Sequence, residues 1–200
     1  DVNLDGLLDI VIGQHFKRPW VEPVAVRLYL NRGQKNGRIS FEDITERAGL
    51  FPLAMKGPHV ELQDFDNDGW PDLYVSIVKF TGATPHPVIF RHLGLENGLP
   101  RFRDDAWSVN DFPSAADKAV TRSGDFFKKL VEDRKIIYMA AAPSGDYNND
   151  GKLDIFLANW WAEAPSLLLR NQTRGDNWIK VQVAGSNGVN PMSVGAKVKI

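Results

Sequence analysis

The chain has 200 residues, 43% hydrophobic and 24% charged, enough for one or at most two domains around a substantial core. No apolar run approaches the ~18 residues that span a bilayer, and the absence of cysteine excludes disulfides and thiolate metal sites. The formal charge of −1 is unevenly spread: ten of the 25 acids sit in three short motifs, which leaves 15 against 24 scattered Lys and Arg and no basic stripe for nucleic acid.

The first element is "DVNLDGLLDIVIG", starting at Asp1, a loop that runs into a strand at 8–13. Because the chain opens inside this motif, a longer parent chain is expected. Alternating or β-branched segments at 24–30, 38–45 and 57–63 predict three more strands. The motif then returns as "DFDNDGWPDLYVS" from Asp64, followed by strands at 73–78, 87–93 and 100–107. Residues 108–135 break the pattern. There "GDFFKKLVEDR" sets Phe126, Phe127, Leu130 and Val131 at helical spacing, which predicts a short amphipathic helix packed on the sheets. A strand at 134–143 leads to the third copy, "DYNNDGKLDIFLA" from Asp146, with strands at 155–158, 166–171 and 177–185. The unit is strand, acidic loop, strand, strand, strand, at intervals of 63 and then 82 residues. Four short strands recurring at a long period predict an all-β chain of about three β-propeller blades, each of antiparallel strands.

Carboxylates at alternate positions repel one another unless a cation gathers them. Ca²⁺ takes six to eight oxygens at about 2.3–2.6 Å. The first loop offers Asp1, Asn3, Asp5 and Asp9 with the carbonyl of Leu7. The second offers Asp64, Asp66, Asp68 and Asp72 with the carbonyl of Trp70, and the third Asp146, Asn148, Asp150 and Asp154 with that of Lys152. Glycine at position six supplies the bend. An EF-hand or dockerin loop needs an acid at position twelve, where Ile12, Val75 and Leu157 stand instead. Plain Asp-Gly hairpin turns leave the fourth Asp of every copy unexplained. Three structural Ca²⁺ sites are therefore expected. Such weak sites fill only where calcium is plentiful, which points to an extracellular or periplasmic location.

The loops, with "LYLNRGQKNGRISFEDITERAGL" at 28–50, resemble the FG-GAP/VCBS repeats of integrin-α-like propellers. That resemblance implies calcium at the blade loop and adhesion to, or recognition of, a protein or glycan through loops on one face. Residues 177–200 are similar to the start of the ASPIC/UnbV segment found in secreted proteins akin to cartilage acidic protein, with Pro191 where that family has Arg. The division implied is 1–184 for the blades and 185–200 for that segment. Since propellers close with four to eight blades, a longer parent chain or an oligomer is expected to complete the ring.

No catalytic motif is present, and the chain is not expected to be an enzyme. The alternative is a fragment of a propeller-type polysaccharide lyase or hydrolase in which calcium is structural. The pairs Asp104–Asp105 and Glu132–Asp133 diverge on a strand or helix, so they are expected on a solvated surface. His15, His59, His86 and His92 lack metal-ligand spacing and suit turns or the core. Trp160 and Trp161, beside Asn159 and Glu163, suit packing between blades better than a sugar platform. Asn171-Gln172-Thr173 is a glycosylation sequon of use only in a eukaryotic secreted protein.

Overall fold

The computed structural model describes residues 1–200 apart from 106, 123, 140, 162–164, 175–177, 186, 187, 189, 191, 194, 195, 197, 199 and 200. It is an all-β chain of antiparallel sheets. The first sheet joins β1 (Ile10–Ile12), β2 (Arg27–Lys35) and β3 (Arg38–Asp43) in that order. The second runs β4 (Val60–Gln63), β5 (Asp72–Thr81), β6 (Thr84–Glu96) and β7 (Leu99–Asp104). It is the complete four-stranded unit that the repeat predicts. Asn36–Gly37 and Asn97–Gly98, all at positive φ, close the β2–β3 and β6–β7 hairpins.

Two segments depart from expectation. The strand expected over 134–143 divides instead. Ile137–Tyr138 forms β8, which pairs with Ile77 and Val78 of β5. Ala141 bridges to Ala158. β9 (Ser144–Gly145) then opens the third sheet, followed by β10 (Asp154–Leu157) and β11 (Leu167–Leu169). The reason lies in β5. Its ten residues outrun β4, whose pairing ends at Val75, and β8 covers the bare edge beyond a bulge between Val75 and Val78. The second departure is at 177–185. No described residue from 178 to 185 is in a strand, and Trp178, Ile179, Val181 and Val183 are exposed. An alternating pattern forms a strand only beside an edge it can bond, and β11 offers three residues.

One apolar cluster joins the three sheets. Its centre is β5, buried from Asp72 to Val78. The helical prediction holds, with α1 (Lys118–Arg122) ahead of α2 (Asp125–Glu132). Phe127, Leu130 and Val131 of α2 are buried, whereas Phe126 is 62% exposed and lies off the apolar face. Trp161 packs on Phe127 at 4.8 Å between ring centres; Trp160 is exposed, with Tyr138 6.0 Å away. Glu163 lies outside the described residues. No helix among the described residues is long and apolar enough to cross a membrane.

Candidate metal-binding loops

Each acidic motif occupies the same place, running directly into a strand: β1, β5 and β10. The loops are also alike atom by atom. The position-one carboxylate accepts the glycine N–H: Asp1 from Gly6 at 2.9 Å, Asp64 from Gly69 at 2.9 Å, Asp146 from Gly151 at 3.0 Å. The position-five carboxylate accepts the N–H two residues on: Asp5 from Leu7 at 2.8 Å, Asp68 from Trp70 at 2.9 Å, Asp150 from Lys152 at 3.1 Å. Position four is left-handed in all three, at Leu4 (φ 58°), Asn67 (57°) and Asn149 (57°), and the following glycines reach 82–90°. Asparagine and glycine tolerate that turn; Leu4 takes it under strain.

The fourth Asp of each copy acts as a clasp. One oxygen of Asp9 accepts Val2 N–H at 2.7 Å and the other accepts Asn31 N–H at 2.9 Å. Asp72 holds Phe65 and His92 at 3.1 and 2.8 Å, and Asp154 holds Tyr147 and Asn171 at 3.3 and 2.7 Å. Each clasp thus ties its loop to the next strand but one. Asp72 and Asp154 are buried. Burial pushes the Asp72 carboxyl up to about 7 even against its two N–H donors.

A second set of contacts links neighbouring loops. His92 Nε2 lies 3.1 Å from the Val2 carbonyl of the first loop, while its Nδ1 accepts Gly94 N–H at 2.8 Å. The ring is therefore neutral and protonated on Nε2, and burial lowers its pKa. Asn171 Nδ2 donates to the Phe65 carbonyl of the second loop at 2.8 Å and to Leu153 at 3.1 Å. Asn67 of the second loop donates to the Gly151 carbonyl of the third at 3.1 Å. Asp154, Asn171, Phe65, Asp72, His92, Val2 and Asp9 form one relay of hydrogen bonds across all three loops.

These partners were not among the expected ligands, although a signal for them exists. Aligning "LNRG", "RHLG" and "RNQT" sets Asn31, His92 and Asn171 in register after each loop. The amide of the sequon residue Asn171 is thus already engaged. Of the other histidines, His86 is buried, His59 pairs with Glu61 at 2.9 Å and His15 is exposed. Asp104 and Asp105 diverge to Lys79 and Arg103, and Glu132 and Asp133 to Lys128 and Lys135.

The donor set fits a hard cation. One oxygen from each of Asp64, Asp66 and Asp72 lies within 4.8 Å of the others. A shell of ligands about 2.4 Å from a calcium ion has that spread. At 4.8 Å two carboxylates repel by about 1 kcal/mol in water and several-fold more at an effective dielectric of ~20. The position-three oxygens Asn3 Oδ1 and Asp66 Oδ1 are buried with no hydrogen-bond partner. Burial, with Asp68 beside it, also raises the Asp66 carboxyl. In the third loop the corresponding Asn148 Oδ1 accepts Asp150 N–H at 3.0 Å, so that loop is satisfied internally.

The repeated unit is thus an acidic loop clasped to a three- or five-stranded antiparallel sheet. Residues 1–75 match the family model of the FG-GAP-like repeat. The match spans the first two loops and ends within β5. The third loop, outside the matched residues, has the same clasp and turn as the first two. No curated protein and no solved structure matched the chain.

Proposed function

We propose that this chain is part of a calcium-stabilised β-propeller that works outside the cytosol in adhesion or recognition, with each sheet a blade and each acidic loop a structural Ca²⁺ site. The observation that carries the calcium reading is the buried, unpartnered Asp66 Oδ1 in a loop where oxygens of Asp64, Asp66 and Asp72 converge, with the matching Asn3 Oδ1 of the first loop also buried and unpartnered. A buried acceptor left empty costs about 1–3 kcal/mol. A cation removes that cost and the repulsion between carboxylates together. Asp64, Asp66, Asp68 and Asp72, with the Trp70 carbonyl, would hold the ion in the middle loop; Asp1, Asn3, Asp5, Asp9 and Leu7 in the first; Asp146, Asn148, Asp150, Asp154 and Lys152 in the third. The ion would brace the blade rather than take part in chemistry, and a protein or glycan would bind through loops on one face.

The test is thermal unfolding of chelator-stripped protein across a calcium titration, with magnesium as control. The expected result is a midpoint that rises and saturates near millimolar calcium, responds weakly to magnesium, and rises less in Asp68→Ala. At ten times the dissociation constant one site adds about 1.4 kcal/mol, which for a chain of this size is a shift of roughly 3–5 °C per site. No shift at 10 mM calcium would end the calcium reading.

A further inference from the structure

Resting on the calcium reading, we propose that Arg91 is a resident counter-cation of the middle loop, that Arg170 serves the third loop in the same way, and that calcium enters by displacing them. Arg91 reaches over the mouth of its loop: Nε lies 2.7 Å from Asp66 Oδ2 and Nη2 3.4 Å from Asp68 Oδ2. Arg170 Nη2 lies 3.3 Å from Asp150 Oδ2, the matching carboxylate of the third loop. Both arginines stand one residue before the strand position whose N–H the fourth Asp clasps, His92 and Asn171. The matching residue of the first sheet is Leu30, which is buried, and the nearby Arg32 pairs with Glu42 at 2.6 Å.

Arg91 and a calcium ion compete for the same oxygens. The guanidinium takes Asp66 Oδ2, on the residue whose other oxygen is buried and unpartnered, and it touches two of the proposed ligands at once. It cannot satisfy six ligands, because its donors lie in a plane at one side of the loop. A divalent ion can, and the two charges would then repel at close range. The displaced side chain has somewhere to go. A shallow depression of about 390 Å³ adjoins the loop, and Arg91 already lines it together with Asp68, Trp70, His92, Leu93 and Gly94. Its floor is the Trp70 ring stacked on His92 at 4.7 Å. The arginine thus keeps the empty loop from flying apart and sets how much calcium is needed to fill it.

Terbium, a luminescent stand-in for calcium, reads the middle loop through the Trp70 indole. Trp178 lies against Gly151 of the third loop and is changed to Phe in the samples that test Arg91, so that its indole does not sensitise that site. In this background, Arg91→Gln is expected to tighten terbium binding roughly three- to tenfold, as removal of one nearby positive charge predicts. It should also lower the metal-free unfolding midpoint, and Arg91→Lys should keep the parent affinity within about twofold. Calcium should displace terbium from every variant. Terbium bound equally or more weakly by Arg91→Gln would overturn the counter-cation role while leaving the calcium reading intact. Absence of binding in the Trp178→Phe parent itself would defeat the calcium reading, and this proposal with it. If Arg91→Gln does not fold, Arg170→Gln in a chain that keeps Trp178 carries the same comparison at the third loop.

Discussion

At the residue scale, the carboxyls of the middle loop and those of the two outer loops have opposite tendencies. Burial raises Asp72 to about 7 and also raises Asp66. Asp5 sits below the usual range because the Leu7 N–H and the Asn3 amide bond it. Asp150 does too, since the Asn148, Lys152 and Arg170 donors together outweigh its burial. The two classes act in separate pH windows. A raised carboxyl holds its proton better in the folded chain than in the unfolded one, so metal-free stability falls as pH climbs from about 4 to 7. The lowered carboxyls contribute stability that is lost only below about pH 4. On the proposed calcium reading the ion would reverse the first trend, because it would hold Asp72 and Asp66 ionised and release their protons on binding. Unfolding midpoints from pH 5 to 7.5 should therefore fall in chelator and stay level or rise in 5 mM calcium. Parallel curves would mean that Asp72 does not meet the ion.

At the element scale, hydrogen bonds from His92 and Asn171 to the preceding loops add to the apolar cluster that joins the sheets. Asn171 donates to carbonyls of two different loops, Phe65 of the second and Leu153 of the third, whereas Asn31 donates to Leu8 of its own. Removing the Asn171 side chain takes the partner from the Leu153 carbonyl and the Thr173 N–H and leaves the Phe65 carbonyl only the longer Thr173 Oγ1 contact at 3.4 Å; each polar group so left costs about 1–3 kcal/mol. Asn171→Ala is accordingly expected to cost about 2–4 kcal/mol in urea unfolding and Asn31→Ala about 1. Equal losses would show that the link between sheets adds nothing beyond the local turn. The "RN" and "RH" pairs at these places were readable as text, yet their role was not. Whether a side chain turns to its own loop or to its neighbour's depends on how the sheets stack.

At the scale of the whole molecule, β5 is buried on both faces while the outer sheets are each buried on one. On the first sheet Ile10, Ile12 and Phe41 are exposed; on the third, Phe156 and Leu168 are. Their partners across the strand, Val11, Leu28 and Leu30 on one side and Ile155 and Leu157 on the other, sit in or against the core. Apolar faces at both ends of a stack of similar sheets are surfaces that a further sheet would cover. The 200-residue chain is expected to self-associate with rising concentration in sedimentation, and Phe156→Lys with Ile10→Lys should shift it toward monomer. A monomer at every concentration would mean that these faces tolerate water unaided.

The sequence alone determined the all-β class, the three loops and nearly every strand, because a period of two, Asn-Gly turns and a repeated acidic spacing are local signals. It also located the helix at 125–132, though not the outward turn of Phe126. What it did not determine was pairing. Residues 137–138 joined the second sheet because β5 had a bare edge, and 178–185 gained no strand because β11 was too short to hold one. The fourth Asp of each motif, read as a metal ligand, also proved to be a backbone clasp. Hydrogen-bond partners distant in sequence depend on the arrangement of sheets, and only the tertiary structure carries that information.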